Sequence, residues 1–337
     1  MKIPQSAGRT ARKVQRRLRE IADSGRRRTV ANPRLAGLKR KGHVVIGEPK
    51  KITEDGNTTF QADFVLPGMG SQLAPFLNHV VAVALETGAN QLALAALKKF
   101  ENIEMSGLRT IEQEFKWKQP VAPSENVRIQ LREKIGPEGI DKSRTFKCTY
   151  LGGSDGNKVL AEGKISLEIL KGDGPEHYGN AAKIADLFRR RKTAKPHMVA
   201  YPRRSQVVIS DPVKITIDGK NAFQAELVRP RKGSQLAPTA GDIPNSLIET
   251  GVHQLVISSS KQFGNMKGKA FPAVFQQLKR PSIIPAGERL IIQVWETTQS
   301  ASRNRGFMWF NCRLVSKENP EKVFVEGKLT VAVINKK

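Results

Sequence analysis

The chain has 337 residues, enough to bury two ordinary cores, and carries 57 Lys and Arg against 31 Asp and Glu, a net charge of +26. So strong a field points to polyanion partners, nucleic acid before anionic membrane, and argues against a salt-adapted protein, which is usually acidic. Two cysteines, with no zinc-ligand spacing, no signal-peptide pattern and no long uncharged span, exclude a disulfide scaffold and point away from a transmembrane segment, toward the cytoplasm or an organelle matrix.

The charge is concentrated. Residues 1–42 contribute +12 and residues 181–204 contribute +7, leaving +7 for the other 271 residues. Residues 1–42 read as a basic arm, with a thin apolar stripe of Val14, Leu18 and Ile21 at helical spacing. The candidate phosphate contacts on the arm are Arg16, Arg17, Arg26, Arg27, Arg28, Lys39, Arg40 and Lys41. Residues 171–204 read as a basic linker with a short helix around 181–191. Its candidates are Arg189, Arg190, Arg191, Lys192, Arg203 and Arg204. Aromatic content is 6 %, too low for base-stacking platforms, so contact with phosphates and shape is expected, on RNA or DNA.

Residues 43–170 begin with a strand-like run, Val44-Val45-Ile46. A hairpin follows around Asp55-Gly56, flanked by Ile52 and by Phe60, Ala62 and Phe64. From Phe76 to Phe100 the apolar residues cover most faces, which predicts a buried helix. Gly88 inside it costs about 1 kcal/mol against alanine and suggests close approach of another backbone. Strands are predicted over 111–117, 127–133, 145–151 and 159–169, with turns between them.

Residues 205–337 repeat this order. GSQLAPFLNHVVAVALETGANQL at 70–92 returns as GSQLAPTAGDIPNSLIETGVHQL at 233–255, and over residues 50–100 an offset of 163 gives 23 identities in 51 pairs. The offset becomes 164 by Cys148 and Cys312, which occupy equivalent strands and read as small core residues. The chain after the arm is a duplication.

Each copy sets a carboxylate, Glu86 or Glu249, inside an apolar run, an expensive place for a charge. Two roles are open. The acids are catalytic or ligand-binding, or they are buried acids satisfied by Gln91, Gln254, Thr87 or Thr250 across the contact between copies. His79 and Asp242 lie seven residues before them, two helical turns away on the same face, and join Gln91 and Gln254 as candidate ligand-binding residues. No Walker loop, Rossmann glycine pattern, Ser-His-Asp order or metal-ligand set is present, and no cofactor is expected.

The order strand, strand, helix, four strands, twice over, resembles the hotdog fold in tandem: an α+β double hotdog, each repeat a curved antiparallel sheet around one long helix. The resemblance implies an active-site acid on each helix, Glu86 and Glu249, and a partner about fourteen residues upstream, Gln72 and Gln235. Acyl-carrier-protein dehydratases of this superfamily carry histidine at that upstream place. Glutamine can orient a carbonyl or a water but cannot be a general base, so hydration chemistry is not implied. The pattern is closer to hotdog thioesterases, in which a glutamate attacks the thioester or activates water. It also resembles the A-factor biosynthesis group, with Asn90 and His253 in place of that group's arginine. The implied function is an acyl-CoA or acyl-carrier-protein thioester hydrolase or acyl binder with a polyanion-binding arm. The alternatives are a non-catalytic nucleic-acid-binding protein of a ribonucleoprotein or virion-like assembly, and a regulator that senses an acyl ligand and binds nucleic acid.

Overall fold

The computed structural model describes residues 29–36, 38, 40–54, 57–67, 71, 73, 82–103, 107–134, 143–153, 156–170, 193–199, 201, 204–230, 236, 243–264, 266, 269–285, 287–297 and 306–335. The first half holds β1 (Lys50–Glu54), β2 (Asn57–Asp63), α1 (Ala82–Phe100), β3 (Gly107–Trp117), β4 (Arg128–Lys134), β5 (Ser143–Gly152) and β6 (Lys158–Leu170). The second half holds β7 (Val213–Ile217), β8 (Lys220–Glu226), α2 (Asn245–Gln262), β9 (Lys269–Ala270), β10 (Ala273–Lys279), β11 (Leu290–Glu296), β12 (Phe307–Ser316) and β13 (Val323–Ala332). A short strand, β14 (Ile334–Asn335), pairs with β9.

Twelve strands form one antiparallel sheet in the order β1-β2-β4-β5-β6-β3-β10-β13-β12-β11-β8-β7. The order reads the same from either end once equivalent strands are matched. Register agrees: Ile52 faces Thr59 and Ile215 faces Ala222, Cys148 faces Gly163 and Cys312 faces Gly327. At the centre β3 meets β10, where Glu114 is opposite Gln277, its own equivalent at the 163 offset. The Gln277 amide donates to Glu114 (2.9 Å). A pseudo-twofold axis therefore passes through this pair.

Alternation puts one face of each strand inward. Phe146, Cys148 and Tyr150 are buried on β5, and Met308, Phe310, Cys312 and Leu314 on β12. Both cysteines are free. The helices lie against the sheet and against each other, α1 on β2 and β4, α2 on β8 and β11. Burial on nearly every face of α1, from Val83 to Leu97, follows from this double packing.

Three sequence expectations change. Val44-Val45-Ile46 is buried but is not a ladder strand. A 3₁₀ turn (Lys41–His43) precedes it, and Ile46 makes one isolated bridge to Phe64. Residues upstream of 43 and 205 belong to the packed units: Ala31 and Ala194 are fully buried, and their amides donate to Ile46 O and Ile209 O, each at 2.9 Å. The apolar residues there are few and set among cations, so charge placed the boundary too late. Finally, what approaches the helix glycines is side chain rather than backbone. A Cβ at Gly88 would lie 2.7 Å from Ile129 Cδ1, and one at Gly251 would lie 2.4 Å from Ile292 Cδ1 and 2.9 Å from Leu227 Cδ1. Gly251→Ala is expected to cost about 1–2 kcal/mol, overpacking outweighing better helix propensity, with Gly88→Ala costing less; urea melts measure both. The predicted turn at the second copy's hairpin is present, with Asp218 and Gly219 both at positive φ (51° and 72°).

Candidate functional site

Glu86 on α1 and Glu249 on α2 are 0 % and 1 % exposed, and their carboxyls meet where the helices touch. They are equivalent residues in contact, so they lie on the same pseudo-twofold axis as Glu114 and Gln277. Burial pushes Glu86 up to about 7, while its contacts with Glu249 and Trp117 pull it down. Burial raises Glu249 well above the carboxylate range, and the neighbouring charge of Glu86 raises it further. Two carboxylates this close cannot both ionise, so one proton is shared near neutral pH.

The sheet supplies the remaining polar groups. Gln113 of β3 donates from Nε2 to Glu86 Oε2 (3.4 Å). Its Oε1 accepts from Asn245 Nδ2 at the start of α2 (3.2 Å). Asn245 Oδ1 accepts from Arg280 Nη1 (3.2 Å), which also donates to Ile243 O (2.8 Å). Tyr150 of β5 donates its hydroxyl proton to Leu85 O (3.2 Å), and burial holds its own ionisation well above the phenol range. Glu86 Oε1, both Glu249 oxygens, Trp117 Nε1 and Gln276 Nε2 are buried and, apart from the contact between the two acids, have no hydrogen-bond partner. Each such atom costs on the order of 1–3 kcal/mol. A proton on one acid relieves a single pair of oxygens and leaves the others available to a polar ligand.

Gln91 and Gln254 do something else. Gln91 Oε1 accepts from Val45 N (2.9 Å) and its Nε2 donates to His43 O (3.0 Å). Gln254 repeats this with Val208 N (2.8 Å) and Gln206 O (2.8 Å). Each amide clamps the extended segment before its first hairpin, which explains why that segment needs no ladder. Both ends of each amide hold backbone, and Gln254 also meets the Tyr201 side chain. Gln254→Ala should cost about 2–4 kcal/mol in urea melts, because it strands a buried N–H and a buried C=O. Gln91→Ala should cost less, since His43 is only half-buried and water can reach its carbonyl.

Gln72, Gln235, His79 and Asp242 lie outside the described residues, as do Arg16, Arg17, Arg26, Arg27, Arg28, Lys39, Arg189, Arg190, Arg191, Lys192 and Arg203. Arg40, Lys41 and Arg204 are exposed at the two equivalent 3₁₀ turns. Sequence reasoning missed Gln113, Gln276, Trp117, Asn245 and Arg280. One signal was available for the first two, since the 163 offset pairs Gln113 with Gln276 inside strands that otherwise bury apolar residues. A cavity of ≈ 580 Å³ beside β2 and β4, lined by Glu48, Lys50, Asp63 and Arg128 among others, contains none of the predicted residues. Among the described residues no group of three His, Cys, Asp or Glu could hold a metal, and no helix is long and apolar enough to cross a membrane.

The architecture, one helix per half on a shared antiparallel sheet, is the double hotdog fold. Among solved structures, a putative oleoyl thioesterase from Lactobacillus plantarum is similar at a TM-score of 0.52 and 11 % identity, over 84 % of this chain and 99 % of that one. A tesB protein from Mycobacterium avium subs paratuberculosis gives 0.48 at 11 % identity, over 81 % and 92 %. The dehydratase domain from the terminal module of the rifamycin polyketide synthase gives 0.48 at 13 %, over 90 % and 100 %. At such identities the likeness shows the fold alone. No protein-family model and no curated protein matches the chain.

Proposed function

We propose that the chain binds and hydrolyses acyl thioesters, of acyl-CoA or acyl-carrier-protein type, at the contact between α1 and α2, with Glu86 and Glu249 as the reacting acids. The observation that carries this reading is that three of the four carboxyl oxygens of the pair are buried with no donor to fill them, more than one proton between the acids can satisfy. A structural acid pair would be expected to have its lone pairs filled. Here a thioester carbonyl, or a water beside it, would complete them. One acid acts as base toward the attacking water. Its partner returns a proton to the departing thiolate, so that water plus thioester yields acid plus thiol. Amide and indole N–H groups from Gln113, Gln276 and Trp117 are the available donors for the oxyanion. Gln72 and Gln235 are retained as carbonyl-orienting residues from the hotdog resemblance. The chain shares its fold with a putative oleoyl thioesterase, which makes acyl thioesters the first substrates to try. The test is turnover of a chain-length series of acyl-CoA and acyl-carrier-protein thioesters by wild type and by Glu86→Gln and Glu249→Gln. Absence of turnover, or turnover indifferent to both substitutions, ends the proposal.

A second reading, nucleic-acid binding, rests on the confinement of +19 of the net +26 to residues 1–42 and 181–204. Arg40, Lys41 and Arg204, exposed at matched turns, are the candidate contacts among the described residues. Affinity for a mixed-sequence RNA or DNA should fall steeply with salt, and deleting residues 1–28 should flatten that slope while leaving Ala31 in the core. A salt-independent affinity, or none, removes this reading and leaves the thioester proposal untouched.

A further inference from the structure

The two halves of the site are not equivalent where it matters. At the 163 offset Asn245 corresponds to Ala82 and Arg280 to Trp117. Arg280 is 3 % exposed and offers only donors. Its Nη1 lies 3.2 Å from the Asn245 side-chain amide, so the atom it meets must be the carbonyl oxygen, Oδ1. That turns Asn245 Nδ2 toward Gln113, whose nearer atom at 3.2 Å must then be the acceptor Oε1. Gln113 is left with its N–H₂ toward Glu86 Oε2. One residue without acceptors thereby orients two amides in series. In the other half, alanine and tryptophan stand in these places and the equivalent amide, Gln276 Nε2, closes no hydrogen bond.

We propose that Asn245, oriented by Arg280, is a positioning residue that holds the Gln113 N–H on Glu86, making Glu86 the ionised and Glu249 the protonated member of the pair. A donor aimed at one carboxylate favours its charged form, whereas Glu249 receives none. The indole of Trp117, near Glu86 without closing a hydrogen bond to it, acts in the same direction. Among the described residues, Tyr150 and Cys148, both on β5, are held neutral by burial and do not reverse this order. On the thioester reading, which the assignment of roles requires, Glu86 is the base and Glu249 the proton donor. The two halves then form a single directional centre rather than two equal sites.

The experiment reads the proton itself, by the infrared carbonyl stretch of a protonated carboxyl in the full chain without substrate, at a pH above the Glu86 midpoint of about 7. Glu249→Gln is expected to abolish the band and Glu86→Gln to retain it. Adding Asn245→Ala to Glu249→Gln should restore a band, now from Glu86. Asn245→Asp should do the same with almost no change in volume. It keeps the Arg280 contact but can only accept from Gln113, which then turns its oxygen to Glu86. A band that survives Glu249→Gln and disappears in Glu86→Gln overturns the proposal. So does an unchanged spectrum in both Asn245 variants. The spectra need no turnover, so an inactive wild type would sink the thioester reading while leaving the location of the proton decided.

Discussion

Glu86→Gln is expected to lower kcat/KM for thioester hydrolysis by about 10²–10⁴-fold, the usual contribution of a positioned general base. Glutamine keeps the shape and the contact with Gln113 but cannot take the proton from water. Glu249→Gln should fall by less, because a thiolate is a good leaving group and needs its proton only late. The pH profile separates the two. Burial sets Glu86 near 7, so the wild-type rate should rise through that pH as the base ionises, and the rise should be absent in Glu86→Gln. Steady-state kinetics on the best substrate of the series checks the ratio and the profile together. Equal losses with identical profiles would mean that neither acid has a distinct role.

The second large effect is on stability. Glu86 binds its proton more tightly in the folded chain than its ordinary value of 4.5 would allow, and Glu249 more tightly still. Between those values the folded state holds protons that the unfolded state has lost, so stability falls as pH rises. The contribution is fully present below about pH 4.5 and for Glu86 alone amounts to about 3 kcal/mol lost by pH 7, at 1.36 kcal/mol per pKa unit. Glu249 extends the decline above that. Glu86→Gln/Glu249→Gln should therefore be more stable than wild type at neutral pH and should show a flatter stability–pH curve in urea melts. A double variant that loses stability at neutral pH would show that the pair holds the helices together rather than straining them. Greater stability with lost activity is the pattern expected of a site kept at a cost to the fold.

Much of the architecture was legible because duplication doubles every signal. Asp218-Gly219 could be read as a turn from its residue types alone, since few residues other than glycine, asparagine and aspartate adopt positive φ. The strands of the second copy could be checked against those of the first. Gln91 and Gln254 were legible as matched polar residues on buried helices, but not as clamps. Their partners lie 46 and 48 residues earlier, and nothing local says that 43–45 runs beside the helix. The start of each packed unit was obscured for a different reason. Ala31 and Ala194 are small residues among cations, and burial of an alanine leaves no periodic trace.

The sequence by itself determined the repeat, the strand–strand–helix–four-strand order, the place of most of the charge, and the positions of the two helix acids, because these depend on residue type and local period. Only the tertiary structure decided that the two acids meet at one place rather than lying in two separate sites. That follows from the pseudo-twofold axis passing through their contact, a property of how two copies pack and not of either copy. It also decided that Asn245 and Arg280 break the symmetry at Gln113. Residues 132 and 167 positions away become neighbours only where β3 meets β10, and only there does an arginine's lack of acceptors fix which way an amide points.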